Sequence, residues 1–153
     1  MITRTRPDLS ALAGVAPFDR YDDRALAPLA AHADRLTVPA GTPLAQEGRR
    51  ARQVVVVVAG DAVVTRCGAE VGRLGPGAWL GARESLAGAP HAETVVAGDD
   101  LAVLVLPDPA FRWAVHELPG LATALPADDA GRTATPPCGD GAGGTGPTAS
   151  RAA

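Results

Sequence analysis

Residues 54–64 read VVVVVAGDAVV. Five β-branched residues in a row, closed by a glycine and followed at once by a second apolar run, describe two short strands joined by a tight turn. The first run does not alternate with polar residues, so neither of its faces suits water. Left exposed, such a segment pairs with other chains, so inside a fold it belongs at the centre of a sheet with both sides covered. Outward from it, LTV at 36–38, TVV at 94–96 and AVLVL at 102–106 repeat the pattern between glycine-containing turns. This rhythm predicts an antiparallel roll or barrel.

The flanks read differently. Across residues 8–36, Leu9, Leu12, Val15, Leu26 and Leu29 recur at helical steps while Pro17 and Pro28 interrupt them, which predicts short helices packed on another element. After the strands, DPAFRWAVHELPGLATAL carries Phe111, Val115, Leu118, Leu121 and Leu125 at steps of three and four. That is a helix interrupted at Pro119 and packed back on the roll. From Ala127 onward there is no Leu, Ile, Val or aromatic residue, so the segment cannot bury enough apolar area to offset its ordering entropy. The expected organisation is a flexible N-terminus at 1–8, one folded domain at 9–126 and a disordered tail rich in Gly, Ala, Pro and Thr at 127–153.

Composition removes several classes of function. Fourteen cationic residues, all arginine, against 17 Asp plus Glu give a net charge of -3, which supplies no general attraction for nucleic-acid phosphates. The absence of lysine beside abundant Ala, Gly, Pro and Val points to a GC-rich bacterial coding bias rather than to arginine chemistry. Cys67 and Cys138 lie 71 positions apart with no CxxC spacing, so two ordinary thiols are expected, with neither a disulfide framework nor a zinc site. No apolar segment suits a signal peptide or a membrane span, and a soluble cytoplasmic protein with no membrane partner is expected.

Glycine spacing carries the next inference, because a roll of tight hairpins demands glycine at positive φ and at close strand approaches. GTPLAQEG at 41–48, VVAGDAVV around Gly60, GRLGPGAWLG at 72–81 and PHAETVVA from Pro90 follow in order. Together they resemble the cyclic nucleotide-binding domain family, as found in CRP/FNR-type regulators and protein kinase A regulatory subunits. Its corresponding pieces read G-x-x-L-x-x-x-G, a hydrophobic strand ending in Gly, L-x-x-G-x-x-F-G-E and P-R-A-A-T-V. The likeness runs from Leu9 to Leu125. It implies a mainly β, jelly-roll-like antiparallel β-roll with short helices at both ends and one short helix between two strands.

The resemblance also locates a ligand cassette, here Gly81, Ala82, Arg83, Glu84, Ser85, His91, Ala92 and Glu93. In the family, a short helix aims backbone N–H groups at the cyclic phosphate, Glu takes the ribose 2′-hydroxyl and Arg binds the phosphate. This chain keeps Gly81 but has Ala82 for the Glu, His91 for the Arg and Glu93 for the second Ala. Hydrogen bonds to charged groups contribute roughly 1.5–3 kcal/mol each, so these losses imply at least about 100-fold weaker cyclic nucleotide binding. Glu93 repels a phosphate, and Arg83 or His91 is the expected neutraliser of its charge. The family's long dimer helix and helix-turn-helix domain have no counterpart before or after Pro126.

Other features carry blander readings. His91 and Glu93 at i, i+2 on a strand would share a face, which is a local ion pair more often than a metal site. His32 and His116 lie on predicted helices as surface residues. Ser85 lacks a G-x-S-x-G elbow and supports its short helix rather than acting as a nucleophile. Arg49, Arg50 and Arg52 suit a solvated loop or the grip of an anionic partner. Trp79 and Trp113 fall at core positions of the family. The expectation is a stand-alone, non-enzymatic regulatory or adaptor module, without cofactor, DNA or RNA, that works through a protein partner. The alternatives are a cyclic nucleotide sensor with a non-standard cassette and a remnant of a transcription regulator.

Overall fold

The valine run forms the middle of a sheet. In the computed structural model, which describes residues 2–6 and 9–125, strand β4 (Gln53–Ala59) pairs antiparallel with β9 (Leu101–Pro107) on one side and β7 (Trp79–Leu80) on the other. Strands β2 (Asp34–Val38) and β1 (Thr3–Thr5) extend this sheet in the order β1-β2-β9-β4-β7. A second sheet runs β3 (Pro43–Ala45), β8 (Thr94–Ala97), β5 (Ala62–Arg66), β6 (Ala69–Leu74). All pairings are antiparallel.

The unbroken valine pattern is explained by what lies on each face. Val55 and Val57 point between the sheets, into a core with Val64, Leu74, Val95, Leu101 and Val103. Val54 and Val56 point the opposite way, into a second core with the helices. Those helices are α1 (Leu9–Ala13), α2 (Asp23–His32), α4 (Asp108–Glu117) and α5 (Leu121–Ala124), and they supply Leu12, Leu26, Leu29, Phe111 and Leu121. A side chain on either face of β4 is thus removed from water, each contributing roughly 1.5–3 kcal/mol on full burial.

Local sequence sets the helices. The Asp22 carboxylate accepts from the Ala25 N–H at 2.9 Å and caps α2. Helix α4 ends at Leu118, before Pro119, and the chain resumes helix at Leu121, as the interrupted pattern predicts. Trp79 is the hinge of the packing: its ring lies 5.3 Å from Phe18 and 6.3 Å from Phe111, and its indole N–H donates to Ala16 O at 2.9 Å.

The structure is therefore the mainly β, antiparallel roll with flanking short helices that the residues imply. Several details differ. The pattern gave no element at 1–8, yet Thr3–Thr5 pairs with Thr37, Leu36 and Arg35 at the sheet's edge, fully on the surface. Trp113 is not a core residue: at 38% exposure it stands beside an apolar cleft lined by Leu29, His32 and Pro109, because α4 turns only Phe111 and Ala114 inward. Cys67 is not a free thiol but disulfide-bonded, and it occupies the β5–β6 hairpin with φ 54°. Nothing in the sequence around Cys67 signals that its sulfur is oxidised. The chain's other cysteine, Cys138, and the tail expected at 127–153 lie outside the described residues. None of the described helices is long and apolar enough to cross a membrane.

Candidate ligand cassette and the arginine loop beside it

Gly81 begins the cassette in the left-handed region at φ 89°, where a Cβ would fall 2.9 Å from Gln53 O and 3.5 Å from the His91 ring. Only glycine suits both the dihedral and the space. Helix α3 (Ala82–Ala87) follows, with Ala82 and Ser85 buried and Arg83 on the surface. The return segment is pinned to residues 48–50: His91 N–H donates to Arg49 O at 2.8 Å, Gly48 N–H donates to His91 O at 2.9 Å, and Pro90 bridges Arg50.

The two substituted polar residues both turn inward, but to different partners. Glu93, 8% exposed, accepts from the Arg66 guanidinium at 3.0 Å. His91, also 8% exposed, places Nδ1 3.3 Å from Glu84 Oε2. The cation set against Glu93 is Arg66, at the end of β5, a residue the sequence expectation did not name; the register Thr65↔Thr94 puts it there. Nothing in the linear sequence indicates that register. With His91 on Glu84 and Glu93 on Arg66, the pair does not converge as metal ligands would.

Ser85 has a role the sequence understates. Its hydroxyl donates to Asp108 Oδ1, while Arg112 donates from Nε to Asp108 Oδ2 at 2.9 Å and from a terminal nitrogen to Ser85 O. The cassette helix is thereby fastened to the first turn of α4. Burial favours the neutral form of Asp108, but the Ser85 hydrogen bond and the charges of Arg112 and Arg50 outweigh it and hold the carboxyl below its ordinary range.

Beside the cassette lies an open cavity of 950 Å³. One wall is Pro43, Leu44 and Ala45, and the rest comes from Gln46, residues 49–53, His91 and Asp108. Of the eight cassette residues only His91 reaches it. Arg49, Arg50 and Arg52 are all exposed there and form no ion pair with a described residue.

The two-sheet roll and its flanking helices have the fold of a cyclic nucleotide-binding domain. The sequence profile of the cyclic nucleotide-binding domain matches residues 35–117, more than half of the 153-residue chain. The chain belongs to that family. Among curated proteins none matches it. Among solved structures it is similar to a cyclic nucleotide-binding-like protein from Brucella abortus, at 28% identity and TM-score 0.60, covering 72% of this chain and 98% of that one. It is also similar to a cAMP-binding acyltransferase from Mycobacterium smegmatis, at 26% identity and TM-score 0.65, covering 76% of this chain and 38% of that one. A third is the regulatory subunit of a cAMP-independent protein kinase A from Trypanosoma brucei, at 18% identity and TM-score 0.64, covering 72% and 42%. The chain spans less than half the length of three of the kinase regulatory chains it matches. Cyclic AMP dependence varies among these proteins, so the fold by itself does not assign the ligand.

Proposed function

We propose that this domain is a non-enzymatic regulatory module that keeps the cyclic nucleotide-binding scaffold, binds cyclic nucleotides weakly or not at all, and acts through contacts with a protein partner. The observation that carries this reading is the Arg66–Glu93 ion pair, buried in the segment where the family's phosphate ligand sits. A phosphate entering there meets a carboxylate already matched to its own cation, and the ribose acceptor has become the buried methyl of Ala82. His91 offers little in return, because its Nδ1 already faces Glu84 Oε2 at 3.3 Å and its ring cannot present the two parallel N–H bonds of a guanidinium.

Calorimetric titration with cyclic AMP and cyclic GMP tests the proposal, with a dissociation constant weaker than about 100 μM expected for both. Binding near 1 μM, which takes about 8 kcal/mol, would refute it. The combined change Ala82→Glu, His91→Arg and Glu93→Ala restores the ribose acceptor and the phosphate cation and removes the competing carboxylate. It should tighten cyclic AMP binding by at least about 100-fold. A well-folded triple variant that gains nothing would equally count against the reading.

A further inference from the structure

We propose that the cavity bounded by Arg49, Arg50 and Arg52 is a binding site for a short chain of phosphates, inorganic or carried by a nucleoside, beside the cyclic nucleotide cassette and sharing only His91 with it. Three guanidiniums in four consecutive positions make one loop strongly positive within a chain whose net charge is -3. All three line one concavity, and none lies within ion-pair distance of a described carboxylate, Arg50 acting on Asp108 only at longer range. Its single acidic wall residue, Asp108, is already held by Ser85 and Arg112. Planar guanidiniums pair with phosphate oxygens through two parallel N–H bonds, and closely set forks suit closely set charges.

The loop is also held in place at each arginine. Arg49 O accepts from His91 N–H at 2.8 Å, Arg50 bridges Pro90, and Arg52 O accepts from Asp108 N–H at 3.0 Å. A ligand therefore has to order three side chains but no backbone, which lowers the entropic cost of capture. The volume of 950 Å³ lies in the range of small-molecule sites and exceeds what phosphates alone would fill. The wall of Pro43, Leu44 and Ala45 provides apolar surface for a base. An acidic peptide or a duplex is the competing occupant, and each is an arm of the test.

The test is calorimetry on the full chain at about 150 mM salt, where surface attraction is largely screened beyond about 8 Å. Inorganic triphosphate is the probe, with adenosine triphosphate as a second arm. Saturable binding of triphosphate is expected, weakened about tenfold by Arg50→Ala and at least 100-fold by the combined Arg49→Ala, Arg50→Ala and Arg52→Ala, at about 1.4 kcal/mol per tenfold. Tighter binding of adenosine triphosphate would identify the apolar wall as a base site, and equal binding would identify the phosphates as the whole ligand. No saturable binding, binding unchanged in the folded triple variant, or an acidic peptide or duplex DNA binding at least as tightly would overturn the proposal. Because His91 lines this cavity as well as the cassette, both titrations are repeated on the triple arginine variant: triphosphate binding lost there belongs to this site, and a cyclic AMP affinity unchanged there belongs to the cassette.

Discussion

Two groups of arginines sit within one end of the roll and live under opposite conditions. Arg66 and Arg112 are matched to Glu93 and Asp108 and hold the cassette segment in place. Arg49, Arg50 and Arg52 project from a fixed loop into a cavity and form no salt bridge with a described residue, Arg50 reaching Asp108 only through its longer-range charge. The first group stabilises the native structure and leaves no charge free for a ligand. The second adds little to stability and keeps its charge available. An arginine's role in this protein is therefore read from its partner.

The largest separation between the groups should come from Arg66→Met, which leaves a nearly buried Glu93 without its cation. Removing one member of a buried pair costs about 3–5 kcal/mol, and the partial exposure of Arg66 reduces that to about 2–4 kcal/mol. Urea denaturation measures it, and adding Glu93→Gln should recover most of the loss. A single variant as mild as a loop arginine change would erase the distinction. Next in size, Ser85→Ala removes one bond to a charged acceptor and should lower stability by about 1–2 kcal/mol, together with increased hydrogen exchange in α3.

Asp108 sharpens the comparison through pH. Its folded-state carboxyl lies below the ordinary value, so its contribution is complete above about pH 3.9 and is lost as pH falls through the lower folded value. Melting temperature followed from pH 5 downward should decline less steeply for Asp108→Asn than for the native chain. Arg50→Ala should start the native decline slightly earlier, because Arg50 helps keep Asp108 ionised. Smallest of all, replacing Arg49, Arg50 and Arg52 with alanine should change unfolding free energy by no more than about 0.5 kcal/mol. A larger loss would place these arginines in the structural group.

Much of this arrangement is legible in the residues. Runs of β-branched residues punctuated by glycine specify the roll, and the valine run, lacking alternation, specifies its own central place. Short elements such as β3, β6 and β7 carry no run long enough to read, and Thr3–Thr5 becomes a strand only because β2 offers an edge. In the cassette, the substitutions at 82, 91 and 93 are visible in sequence, but their consequences are not. Arg66 meets Glu93, and Ser85 meets Asp108, through pairings between segments distant in the chain. For the arginine loop the sequence allows a solvated turn or an anion grip, and the cavity exists only once residues 43–45 line it as well.

The valines of β4 raise a question of alignment. With Val54 and Val56 on one side and Val55 and Val57 on the other, a shift by one residue would exchange two identical sets, so hydrophobicity alone does not choose between the two phases. The choice must be made at the strand's end. There the pairing with β9 changes register between Val57 and Ala59, and Gly60 at φ 89° leaves no room for a Cβ, which would lie 2.7 Å from Asp100 O and from Asp99 Oδ1. Asp99 also accepts from Asp61 N–H at 3.0 Å, clamping the same turn. Gly60 thus acts as the index mark of a strand whose side chains carry no address, and without it the chain would hold two alignments of nearly equal energy, visible as doubled amide resonances along β4.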